Sequence, residues 1–182
     1  TLQKYGKKIG EEAAENAVFS QVEQEVTLPD GTVEKQFVTG PVPELKIGKF
    51  TNKSAAEAYE KNIFNKYKDE VQSTIRNIII EERASAIEEN RNGDGFKEIV
   101  NARIEPILTD LEPKFKTLVN TYSNDQTQQH WFQVESKFLD RKEKRENLEY
   151  TNGLKIKTNE YDSLLINGAS KEVLAEKEDE IK

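Results

Sequence analysis

The stretch SAAEAYEKNIFNKYKDEVQSTIRNIIIEERASAIEE, residues 54–89, decides the fold. Within it Tyr59, Ile63, Tyr67, Val71, Ile75, Ile78 and Ile79 recur at spacings of four and three, the signature of one apolar helix face. No Gly or Pro interrupts the run, so one long helix is predicted. Ser54-Ala-Ala-Glu57 has the pattern of a capping box, in which hydroxyl and carboxylate satisfy exposed amides at a helix start.

Towards the N-terminus, Gly40-Pro-Val-Pro-Glu-Leu-Lys-Ile-Gly48 is predicted as an extended connector, because its prolines exclude regular helix. Before it, Val22 to Leu28 and Thr32 to Val38 flank Pro29-Asp30-Gly31. Asp-Gly between β-rich runs predicts a hairpin, with Val22, Val26 and Leu28 on one face and Val33 and Phe37 sharing another. A hairpin alone is marginal in water and needs a helix or a partner chain against it. Thr1 to Asn16 reads as a short helix capped by Thr1, with Leu2, Tyr5, Ile9 and Ala13 at helical spacing.

Towards the C-terminus, Asn90-Arg-Asn-Gly-Asp-Gly95 breaks the long helix. A shorter helix carries Phe96, Ile99, Val100, Ile104 and Leu108, with a kink expected at Pro106. Pro113 suits the first turn of the next helix, expected to reach Tyr122. Ser123-Asn-Asp-Gln-Thr127 reads as a polar linker before a second long helix through Trp131, Val134, Phe138 and Leu148 to about Ile166. Gly168 closes that helix and Ser170 caps a last one. The predicted fold class is mainly α: an elongated helical bundle of long amphipathic helices with one small β-hairpin near the N-terminus. Residues 1–50 are expected to form a helix, hairpin and connector region, and 51–182 a helical region.

Composition narrows the function. Of 182 residues 34% are charged and 35% hydrophobic, which suits helices burying a narrow stripe and exposing a broad charged face. The net charge of −7 argues against general phosphate-backbone binding, so no specific nucleic-acid site is expected. There is no Cys, hence no disulfide framework or thiolate metal site. The longest aliphatic run, Ile78-Ile79-Ile80, is far short of a membrane span. The absence of Met, and a last segment from Ser170 that ends inside helical pattern, lead us to expect a piece of a longer chain.

Four features invite chemistry. The loop from Asn90 places Asn90, Asn92, Asp94 and Gly95 at calcium-loop positions 1, 3, 5 and 6. Position 12 is Asn101 rather than Glu and only Asp94 is charged, so a plain interhelical turn is the better reading. His130 is the single histidine, which removes His-pair metal sites, and beside Trp131 it reads as a packing or surface residue. Asp140-Arg-Lys-Glu-Lys-Arg145 is basic, but its interleaved acids make it a solvated helix face. The pairs Glu81-Glu82 and Glu88-Glu89 point about 100° apart on a helix and cannot flank one bond. No cofactor, metal or catalytic residue is predicted.

The order of elements carries a resemblance. A small-residue helix (Gly6 to Ala17) precedes Ser54-Ala-Ala-Glu-Ala-Tyr59, the break Asn92-Gly-Asp-Gly-Phe-Lys-Glu98, a Pro-bearing helix pair and a long charged helix from Trp131. This is similar to helical segments of the internal virion and DNA-ejection proteins of tailed bacteriophages. The resemblance implies assembly with copies of the chain and with portal, tail or core proteins of the virion. It also implies a place in the particle, and in the host periplasm or cell envelope after ejection. It carries over no catalytic residue. Independently, narrow stripes on long helices need partners, and the expected assembly stripe is Tyr59, Ile63, Tyr67, Val71, Ile75, Ile78, Trp131, Val134, Phe138 and Leu148. A surface-exposed helical binding module such as an adhesin fragment, and a cytoplasmic scaffold or secretion-apparatus component, stand as alternatives.

Overall fold

The structure is a computed structural model that describes residues 2–44 and 52–181. In chain order the elements are α1 (Leu2–Glu15), β1 (Gln21–Thr27), β2 (Val33–Thr39), α2 (Lys53–Glu88), α3 (Gly93–Asp110), α4 (Pro113–Ile166) and α5 (Lys171–Ile181). The fold is mainly α with one small antiparallel hairpin near the N-terminus. Two compact units divide the chain, Thr1–Glu135 and Ser136–Lys182, and the boundary falls within α4. Within the first unit α1 packs on α2, and the hairpin lies against α2 and α3.

In the first unit α2 supplies the spine. Tyr59, Ile63, Tyr67, Val71, Ile75, Ile78 and Ile79 are all buried, together with Phe96, Val100, Ile104 and Ile107 of α3 and Phe115, Val119 and Val134 of α4. Burying each such side chain contributes about 1.5–3 kcal/mol. Tyr67 meets Phe19 edge-on at 5.3 Å and Phe115 at 4.8 Å, and Phe64 stacks on Phe115 at 4.6 Å. Arg76 donates to the Tyr122 hydroxyl (2.8 Å) and Arg83 to Gln133 (2.8 Å). Both residue numbers rise together in these contacts, so the opening of α4 runs parallel to α2.

The helix boundaries correct three expectations. Asn52, not Ser54, caps α2: its Oδ1 accepts from the Ser54 amide at 3.0 Å, and Ser54 already lies inside the helix. The helix begins two residues earlier than the capping-box pattern implies, and the Asn52 side chain satisfies one of its first exposed amides. The expected linker Ser123–Thr127 is helical, and Ser123 and Thr127 are buried. They continue the Phe115–Val119 row at spacing four, where small polar residues fit close packing that polarity alone had read as a loop. In α1 the buried face is Gly6, Gly10 and Ala14, while Leu2 and Tyr5 are exposed. A Cβ on Gly10 would overlap the Ala55 carbonyl, so the two helix backbones approach more closely than side chains permit. The Thr1 cap and the connector beyond Glu44 lie outside the described residues.

The hairpin expected around Asp30-Gly31 is present, with β1 antiparallel to β2. Val22 pairs with Val38, Gln24 with Gln36 and Val26 with Glu34. The turn needs Gly31, whose φ is +86°, and Asp30 accepts from the Thr32 amide at 2.8 Å. Its inner face buries Val26, Gln36 and Val38, and the Gln36 amide donates to the Arg103 carbonyl at 2.8 Å. Val33 and Phe37 lie on the outer face, exposed.

Candidate association surfaces

The expected assembly stripe divides into parts with different fates. Tyr59, Ile63, Tyr67, Val71, Ile75, Ile78 and Val134 are buried by the chain's own α3, α4 and hairpin, so they form the internal core rather than a surface for partners. The periodicity was sound, but a stripe says only that a face is covered, not by which chain. Trp131 is half-buried against Gly93, and its Nε1 lies 3.4 Å from Asp94 Oδ1. Phe138 is half-buried and Leu148 is 62% exposed.

Two of the chemical candidates, the corner from Asn90 and His130, are engaged in packing, whereas the run from Asp140 to Arg145 is exposed. The Asn92 side chain accepts from the Gly95 amide (2.8 Å), the Gly93 amide donates to Glu135 (2.6 Å), and Asn90 takes the left-handed conformation at φ 57°. The loop is thus an α2–α3 corner clamped onto α4, with Asn92 Oδ1 spent on the Gly95 amide. His130 lies 3.4 Å from Arg83, and burial first, then that guanidinium, holds its pKa below the ordinary value. Such a ring is kept neutral by its surroundings. No group of three or more His, Cys, Asp or Glu among the described residues is placed to hold a metal ion.

One charged cluster is buried, and sequence reasoning missed its importance. Glu82 faces Arg91 Nη1 at 2.5 Å and Arg103 Nη1 at 3.8 Å. Arg91 also reaches Glu89 at 2.9 Å and donates to Ser85 at 2.8 Å. The 2.5 Å contact is held by charge rather than by an aligned N–H···O bond. A buried carboxylate between two guanidiniums ties α2 to the α2–α3 corner and to α3, and its removal would leave uncompensated charge. Glu82 stands seven residues past Ile75 on the buried face, and that spacing was the available signal.

The second unit, Ser136–Lys182, is built differently. It is a helical hairpin in which the end of α4 carries α5 after a turn at Gly168 (φ 71°). Ser170 Oγ stands 3.5 Å from the Val173 amide at the start of α5. The helices meet through Lys177, which bonds Glu160 (2.5 Å) and Glu180 (2.8 Å), and through Lys157, which donates to the Glu180 carbonyl (2.7 Å). The bonds to these two carboxylates hold the Lys177 pKa above its usual value. No described residue of this unit is buried, and residues 139–152 are exposed without a break. Leu148, Tyr150, Ile156, Leu165 and Ile166 present apolar surface to solvent. A helical hairpin with no covered core gains little from burial, and a helix as short as the 11-residue α5 is marginal in water on its own. No helix among the described residues is long and apolar enough to cross a membrane.

The chain matches no protein-family model, no curated protein and no solved structure.

Proposed function

We propose that this chain is a non-enzymatic structural protein that works by associating with copies of itself, as an internal core or DNA-ejection component of a tailed-phage particle. The observation that carries the self-association is the second unit, whose apolar side chains are left uncovered by the chain's own helices. Covering them requires another molecule, and copies of the chain are the molecules always at hand in an assembly. Its portal, tail or core neighbours in the particle would be the other partners. The element order that is similar to internal virion proteins supports the particle as its place. Absence of Cys supports it too, since a chain that threads a narrow tail gains from having no crosslinks. Peptide mass spectrometry on purified particles of the source virus tests this, comparing DNA-filled with emptied ones. Presence in full particles and loss from emptied ones is expected. Absence from both would overturn the particle assignment.

A further inference from the structure

We infer that α1 is a detachable strap, latched by the Lys66 ammonium, which opens from α2 as a unit while the rest of the first unit stays folded. The inference does not rest on the self-association proposed above.

By itself α1 is a poor helix. Its 14 residues are near the lower limit for an isolated helix in water, and two of them are glycines. Its charges run against the helix dipole. Lys4, Lys7 and Lys8 occupy the N-terminal half, and Glu11, Glu12 and Glu15 the C-terminal half. The Lys7–Glu11 and Lys8–Glu12 pairs, at 3.7 and 3.6 Å, are exposed and stand in the less favourable order, lysine before glutamate. The helix therefore depends on docking for its form.

Docking gives it little apolar burial. The buried positions are Gly6, Gly10 and Ala14, which together offer a single methyl group, while Leu2 and Tyr5 stay 86% and 68% exposed. By contrast α2, α3 and α4 are held together by the large buried side chains of Ile75, Ile79, Phe96, Val100 and Phe115. That core does not need α1 in place.

What α1 lacks at its end, Lys66 of α2 supplies. Its Nζ donates to the Glu15 carbonyl at 2.6 Å, to Ala17 at 2.7 Å and to Ala14 at 3.4 Å. An ammonium has three donors, and each here has a carbonyl of the helix end to meet. One side chain thus satisfies orphan carbonyls and brings the cation that the dipole favours. Just beyond, Phe19 packs edge-on against Tyr67 and lies 6.0 Å from the same ammonium. The hinge is thereby confined between Glu15 and Phe19, where Val18 is 84% exposed.

Native-state hydrogen exchange on the full chain, in urea well below the unfolding transition, tests both parts. In the parent, α1 amides should be at least about tenfold less protected than those of α3, and nearly insensitive to urea, because their opening exposes little surface. Lys66→Met keeps the stem and removes the charge. It should lower α1 protection a further tenfold or so, with α3 unchanged. Parent α1 amides that match α3 in both protection and urea dependence overturn the strap. In Lys66→Met, α1 protection equal to the parent's, or a loss shared equally by α1 and α3, overturns the latch.

Discussion

Replacing Gly10 with Ala isolates the contact on which docking of α1 depends. A Cβ there would overlap the Ala55 carbonyl oxygen, stand 2.9 Å from its carbon and meet the Ala58 Cβ at 3.0 Å. The obstacle is backbone on the facing helix, so no side-chain rotation relieves it, and α1 must retreat by roughly 1 Å from a close-packed face. Overpacking of this kind costs about 1–3 kcal/mol. Against it, Ala in place of Gly favours the helix itself by about 1 kcal/mol. The net loss is up to about 2 kcal/mol, confined to α1. Native-state hydrogen exchange reads it directly: protection of α1 amides should fall by up to about 30-fold, with α3 unchanged. Gly153→Ala is the matched control, since nothing lies within 4 Å of its Cβ position, and it should leave protection equal or raised. Equal or greater protection of α1 in Gly10→Ala would refute the close-approach argument.

Other outcomes follow from the same packing. Glu82→Ala strands Arg91 and Arg103 beside a buried site and should cost about 3–5 kcal/mol in urea unfolding followed by Trp131 fluorescence; a loss below about 1 kcal/mol would show the cluster is not coupled to folding. The folded-state pKa of His130 lies below its unfolded value near 6.5, so the unfolded chain binds the extra proton first. Stability should then be full above pH 6.5 and decline as pH falls through that value towards the lowered one. His130→Gln should flatten the decline, and an unchanged slope in thermal unfolding between about pH 7 and about pH 5.5 would count against the histidine. Gly31→Ala forces a Cβ into φ +86° and should lower exchange protection of the Gln24 and Gln36 amides, at a cost of about 1–2 kcal/mol. Gly31→Asn should lose less, and equal effects would remove the conformational explanation.

Periodicity made most of the fold readable. The row from Tyr59 to Ile79 specified α2 and its buried face, and Asp30-Gly31 specified the hairpin. What escaped depended on partners distant in sequence. In α1 the spacing of Leu2, Tyr5, Ile9 and Ala13 drew attention away from Gly6 and Gly10. Only the approach of Ala55 reveals that the glycines face inward. Ser123 and Thr127 looked like a linker because polarity outweighed spacing, although Phe115 and Val119 already set their phase. The assembly stripe divides: Tyr59 to Ile78 are buried within the chain, while Leu148, beyond Ser136, is exposed. The corner at Asn92, by contrast, was legible as a turn from its missing acidic ligands.

The central claim is that the chain associates with itself, and light scattering on the full chain across a concentration series at low salt tests it most directly. The account predicts a mass rising from that of one 20.9 kDa chain to at least twice that value. A mass that stays at one chain up to about 0.2 mM, a concentration at which even micromolar association would be complete, would contradict it.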